Sequence, residues 1–172
     1  MCKVRRNVLT PLTRLMVILS LVIGVQALAS PASAATTEAR VAVPMYVTGF
    51  DADVAKAHGY STARPMNVVA GDCGSSLLTL QARPRGLHII TGFAVIHGVV
   101  AYQWAVDVHG PSGFRKTWGG SNGLDATWQG TADQGNLNPG TYSGIVTSPA
   151  YAVLEDGSIC TAGPATDTKP VF

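Results

Sequence analysis

Across residues 99–108 the chain alternates strictly. Val100, Tyr102, Trp104, Val106 and Val108 fall on one face, and Ala101, Gln103, Ala105 and Asp107 fall on the other. A period of two is that of a β-strand buried on one side. Two more runs rich in Val, Ile and Leu precede it, at 75–82 and 87–96, separated by Arg83-Pro84-Arg85-Gly86 and by His97-Gly98. Turn residues in such short connections predict antiparallel neighbours. Residues 114–118 and 124–128 flank Gly119-Gly120-Ser121-Asn122-Gly123, whose Asn-Gly pair suits left-handed turn positions, so a hairpin with a longer loop is expected. Asn138-Pro139-Gly140 marks a turn, after which Tyr142, Gly144 and Val146 alternate against Ser143 and Thr147. Shorter strands are expected at 151–154 and 158–160, with Glu155-Asp156-Gly157 turning between them, and the tail from Thr161 reads as small and polar.

The early part of the pattern differs. Residues 41–47 are apolar and β-branched but interrupted by Pro44, which suits an edge strand or an extended lead-in. Asp51 then precedes an Ala-rich stretch that ends at His58-Gly59, so one short helix is expected, capped by Asp51 and closed by Gly59. About eight or nine short strands at intervals near ten residues give a mainly β chain. The expected architecture is an antiparallel β-sandwich or small barrel with one short helix near the mature N-terminus.

Residues 1–34 carry a different pattern. Lys3, Arg5, Arg6 and Arg14 precede an apolar run over 15–25, and Ala32-Ser33-Ala34 supplies an A-x-A site. This is the order of a secretory signal peptide cleaved after Ala34, and the apolar run is about half as long as a membrane span requires. Arg5-Arg6-Asn7-Val8-Leu9 is similar to a twin-arginine signal, and both export routes stay open. The expectation is a cleavable signal at 1–34 and one secreted β-rich domain at 35–172, extracellular and without stable membrane insertion once the signal is gone. The four cations named leave with the signal, so the mature chain holds eight Lys and Arg against ten Asp and Glu, a formal charge of −2. With only 13% charged residues in the whole chain there is no cationic stripe, which argues against nucleic acid as a partner.

Cys2 departs with the signal, leaving Cys73 and Cys160. Two cysteines in an exported domain predict one disulfide. Gly71-Asp72-Cys73-Gly74-Ser75 also resembles the nucleophile loop of viral chymotrypsin-fold cysteine proteases, where glycines turn backbone amides into an oxyanion hole beside a thiolate. Those folds need two barrels and a histidine and acid far upstream, whereas only His58 precedes Cys73 here. The helix phrase from Gly49-Phe50-Asp51 to His58-Gly59-Tyr60, the stretch Gly71 to Ser76, Trp118-Gly119-Gly120 and Asp156-Gly157-Ser158-Ile159-Cys160 together resemble uncharacterised small secreted two-cysteine proteins of high-GC Gram-positive bacteria. That resemblance implies secretion, a two-cysteine framework and a β-rich domain, and it carries over no catalytic residue.

Candidate chemistry is sparse. His58, His88, His97 and His109 are scattered without a metal-ligand spacing, so neither a metal nor another cofactor is expected. Asp51 and Asp53 have a structural task at a helix start. Asp107 and His109, two apart on one strand face, could form an acid and base pair with a nearby serine, which would make the protein a small secreted hydrolase. No G-x-S-x-G elbow or S-x-x-K motif supplies the nucleophile, however. Trp104 belongs to the apolar face and to the core. Trp118 and Trp128 end the two arms of the expected hairpin with Asn122, Asp125 and Gln129 close by. They either line a ligand surface, as aromatic rings do in secreted modules that stack on sugars, or close the sandwich. The leading expectation is a non-catalytic secreted β-domain that binds an extracellular or cell-wall glycan or a protein, with Trp118, Trp128, Asn122 and Asp125 as the ligand-binding set.

Overall fold

A computed structural model describes residues 42–62 and 73–172. The expected signal, with its cleavage site, and the Gly71-Asp72 half of the cysteine motif lie outside the described residues. The elements are β1 (Val43–Phe50), α1 (Ala52–Ala57), β2 (Gly74–Arg83), β3 (Gly86–Val95), β4 (Val99–His109), β5 (Phe114–Ser121), β6 (Thr127–Gly135), β7 (Gly140–Leu154), β8 (Ser158–Ala162) and β9 (Thr166–Val171). All pairings are antiparallel, in the order β5-β4-β7-β8-β1-β2-β3-β6, with β9 also paired to β7. The protein is therefore mainly β, a nearly closed antiparallel barrel-like sheet with one short helix.

The alternation in β4 sets the inside. Trp104, Val106 and Val108 are buried, while Ala101 and Gln103 are exposed on the outer face. Trp104 shares one core with Met45, Leu80, Leu87, Ile89, Tyr142 and Leu154 from four other strands, all buried. Its indole Nε1–H donates to Thr91 Oγ1 at 2.8 Å, and the Thr91 hydroxyl donates to the Leu77 carbonyl at 2.9 Å. This relay runs from β4 through β3 to β2 across the apolar interior. Among the described residues no buried side-chain nitrogen or oxygen lacks a partner.

The helix forms as its capping residues predict. Asp51 Oδ1 accepts from the backbone amides of Asp53 and Val54 at 3.0 and 3.1 Å, satisfying two otherwise unpaired donors. The Asp51 amide donates to the Gly157 carbonyl at 2.7 Å, which fixes the helix to the β7–β8 turn.

Several connections differ from the sequence expectation. Arg83-Pro84-Arg85-Gly86 is a tight hairpin between β2 and β3, as expected, with Arg83 opposite Gly86. Ile96-His97-Gly98 is instead a corner: β3 pairs with β2 and β6, and β4 pairs with β5 and β7. The backbone of the β5–β6 connection fills the space between them. Val95 N–H donates to the Ala126 carbonyl at 2.8 Å, and Val99 N–H donates to the Asp125 carbonyl at 3.3 Å. For the same reason β5 and β6 are not a hairpin, although Asn122-Gly123 does form a turn, closed by the Asp125 amide on the Asn122 carbonyl at 3.0 Å. The two strands leave that turn toward different partners and become the two edges of the sheet.

Pro44 does not mark an edge, because β1 lies between β8 and β2. Only three β1 residues pair with β2, so the missing proline N–H interrupts a short ladder. The two strands expected at 141–147 and 151–154 are one strand, β7. Its register against β4 shifts between Gln103 and Ala105, which face Tyr151 and Thr147 respectively. The extra residues at this bulge bend β7, so that its first half pairs with β9 and its second half with β8. The tail contains a strand that the composition did not suggest, β9, whose Asp167 carboxylate accepts from the Leu80 amide of β2 at 2.7 Å.

Candidate ligand-binding face

The two sheet edges face each other across a seam, and aromatic rings fill it. Trp118 of β5 and Trp128 of β6 meet edge to face with ring centroids 6.0 Å apart. Trp128 also lies 4.6 Å from Tyr102, 5.7 Å from Phe93 and 5.9 Å from Trp104 by the same measure. Register explains the convergence. Trp118 lies opposite Trp104 and Trp128 opposite Phe93, so all four point to the interior side of their strands. Gly130 makes room for them, since a Cβ there would lie 2.6 Å from the Trp128 ring and 3.1 Å from Trp118 Nε1. Both indoles are half-buried.

The structure thus brings Trp118 and Trp128 together. Asn122 and Asp125 sit in the adjoining connection, where the Asn122 carboxamide donates to the Asp125 carbonyl at 2.7 Å and to the Thr127 carbonyl at 3.0 Å. That side chain shapes the loop. The Asp125 side chain is exposed.

On the outer face of β5, β4 and β7 there are two adjoining depressions of about 410 and 320 Å³. Gln103 and Gly119 line both. Thr117, Trp118 and Pro149 contribute to the larger, and Ala101, Gly120 and Tyr151 to the smaller. The hollow follows directly from residue size: in the row Gly119, Gln103, Tyr151 the β5 member has no side chain, and in the next row β4 carries only Ala101. The Gln103 carboxamide stands at the junction, exposed and without a hydrogen bond among the described residues. The alternation of β4 puts Ala101 and Gln103 on this outer face but assigns them no role, and of the lining residues only Trp118 is among the expected ligand-binding set. The available signal was a lone Gln between two alanines, opposite paired glycines in a neighbouring strand.

Asp107 and His109, the alternative acid and base pair, share a strand face, and the Asp107 carboxylate is engaged by an arginine. The Asp107 carboxylate accepts from Arg115 at 3.3 Å, and Arg115 also donates to the Ser148 carbonyl across the β7 bulge. His109 is exposed, with Ser143 opposite it in register, and the Ser143 hydroxyl bonds Thr168 at 2.8 Å.

Cys73 and Cys160 form a disulfide, and both residues are fully buried. The sulfur of Cys73 is therefore a crosslink and not a nucleophile. Two other titratable groupings occur on the surface. His88 Nδ1 and Asp133 Oδ1 are 2.7 Å apart on the outer face of β3 and β6. At the end of the barrel near α1, Tyr60 packs edge to face against His97, which lies 3.7 Å from the Asp156 carboxylate. The Tyr60 phenol holds its proton to higher pH than usual, through desolvation first, then the charge and hydrogen bond of Glu155, then Asp156. Among the described residues no group of three His, Cys, Asp or Glu side chains is placed to hold a metal ion, and no helix is long and apolar enough to cross a membrane.

No protein-family model, no curated protein and no solved structure matches this chain.

Proposed function

We propose that the chain is exported under the signal at 1–34, cleaved after Ala34, and acts outside the cell as a non-catalytic β-domain that binds a cell-wall glycan or an extracellular protein. The buried disulfide supports an oxidising destination, because such bridges persist outside the reducing cytosol. The observation that carries the binding role is the pair of adjoining depressions on β5, β4 and β7, with an uncommitted Gln103 carboxamide between them. Exposed polar groups converging on a concavity of a few hundred Å³ are the usual makings of a ligand site. Trp118 contributes to the larger depression, and Trp128, Asn122 and Asp125 belong to the neighbouring seam and its loop.

The test is sedimentation of the mature protein with purified Gram-positive cell-wall sacculi, with and without their surface proteins. Retention that drops for Gln103→Ala and for Ala101→Leu, both exposed positions, supports the reading. Retention equal to that of the unaltered protein in both variants refutes it.

A further inference from the structure

We infer that the ligand of this face is an uncharged glycan chain lying along β4 across both depressions. The inference rests on the binding reading above and specifies its ligand class.

Four observations lead to it. First, no charged side chain lines either depression. The nearest pair of charges on this face, Asp107 and Arg115, is one row farther along and is self-neutralised at 3.3 Å. An anionic ligand would find no cation available here, and a cationic one no free carboxylate. Second, the floor is flat, because Gly119 and Ala101 leave it close to bare backbone. A sugar ring or a chain of them lies against such a surface, whereas a protein partner would need a deep apolar socket for an anchoring side chain.

Third, the polar groups are of the right kind. Gln103 offers a donor and an acceptor from one side chain, the pairing that a sugar hydroxyl, itself donor and acceptor, can satisfy twice. The Thr117 hydroxyl adds a second group of the same dual character one row along β5, and Tyr151 places an aromatic ring in the Gln103 row. Fourth, the two depressions are serial. They share Gln103 and Gly119 and extend along the strand, so that the stretch of β4 they cover, Ala101 to Trp104, is about 10 Å at the usual rise of a strand. A linear ligand with repeating units fits two like hollows joined end to end; a compact single ring would use only one.

The experiment is an isothermal titration of the mature, disulfide-intact protein with chitotetraose and cellotetraose, with the corresponding disaccharides, and with an oligogalacturonate of similar length as the anionic comparison. Binding of a neutral tetrasaccharide, at least about tenfold tighter than its disaccharide and than the anionic oligomer, is the expected result. Gln103→Ala should weaken it by about tenfold, the worth of one or two hydrogen bonds, and Ala101→Leu should reduce the tetrasaccharide to disaccharide affinity by filling the smaller hollow. Unchanged thermal unfolding of both variants shows that the fold is intact. If sacculi retain the protein in a Gln103-dependent way but no neutral oligosaccharide binds, the glycan assignment is overturned and the binding face stands, with a wall-attached protein or polymer as its ligand. Should neither sacculi nor saccharides bind, both readings fall. Saccharide binding indifferent to both substitutions places the site elsewhere and overturns this inference.

Discussion

Replacing Thr91 with Val tests how the interior of the barrel is tied together. The two side chains have nearly the same shape, so no cavity opens, and the change removes only a hydroxyl that is fully buried. That hydroxyl accepts from Trp104 Nε1–H at 2.8 Å and donates to the Leu77 carbonyl at 2.9 Å. Without it the indole N–H is a buried donor with nowhere to turn, at a cost of about 1–3 kcal/mol, and the bond to Leu77 contributes roughly 1 kcal/mol more. A loss near 3 kcal/mol is expected from Thr91→Val alone. Trp104→Phe removes the N–H as well as part of the ring, leaving a partly filled space. In a Thr91→Val background it should cost about 1–2 kcal/mol less than in the unaltered protein, because the orphaned donor goes with it. Equilibrium unfolding in urea, with the disulfide intact and followed by far-ultraviolet circular dichroism, measures all four corners of the cycle. With slopes of about 1–3 kcal/mol per molar, the single change should move the midpoint by roughly 1–3 M. A Thr91→Val midpoint within error of the unaltered protein, or strictly additive costs, would refute the relay as a source of stability.

Four further outcomes are expected. Replacing Cys73 and Cys160 together by Ala should cost about 4–5 kcal/mol, since the bridge joins residues 87 apart; the urea midpoint reports it, and reduction of the unaltered protein should reproduce it. Gly157→Ala should cost about 2–3 kcal/mol in thermal unfolding, because φ there is +85° and the new Cβ would lie 2.4 Å from the Asp51 carbonyl oxygen, beside the bond that fixes the helix. Tyr142→Phe removes a buried hydroxyl's bond to the Asn138 carbonyl at 2.9 Å and should cost about 1 kcal/mol in the urea experiment. Glu155→Gln should lower the pH at which Tyr60 ionises, read by ultraviolet titration against Tyr60→Phe. The raised Tyr60 pKa means that the stability linked to its neutral form is present below the ordinary value of 10.0 and is lost as pH rises through the folded-state value.

What could be read from the residues was what local rules govern. The alternation of β4, the Asp51 cap and the Arg83-to-Gly86 turn are each decided within a few residues, and each is found in place. The partner of a strand is not decided locally. His97-Gly98 and Asn122-Gly123 are both competent turn sequences, yet each changes the chain's partner, because the β5–β6 connection docks its carbonyls on Val95 and Val99. β9 was hidden for a related reason. Thr166, Asp167, Thr168 and Lys169 carry no apolar alternation, and the strand exists because the exposed edge of β7 and the Leu80 amide supply its bonds. As for the candidate face, Trp118 and Trp128 drew notice by residue type, while the hollow beside them is made by what Gly119 and Ala101 lack. It becomes visible only once register sets those positions next to Gln103.

The position of β1 bears on how this chain acquires its shape. The first described strand is held between β8, nearly the last, and β2, and the hydroxyls of Thr48 and Thr161, which are 2.6 Å apart, belong to residues separated by 113 positions. Three further pairings, β3 with β6, β4 with β7 and β7 with β9, also join strands that are not consecutive, so much of the ordering entropy is recovered only through long loops. Topologies of this kind fold slowly, on a scale of about milliseconds to seconds. β1 cannot find its place until β8 has emerged, and Cys73 cannot meet Cys160 before then. Synthesis therefore runs well ahead of folding, and the long interval in which the thiols are apart and the strand edges bare is when chaperones, oxidants and proteases have their opportunity.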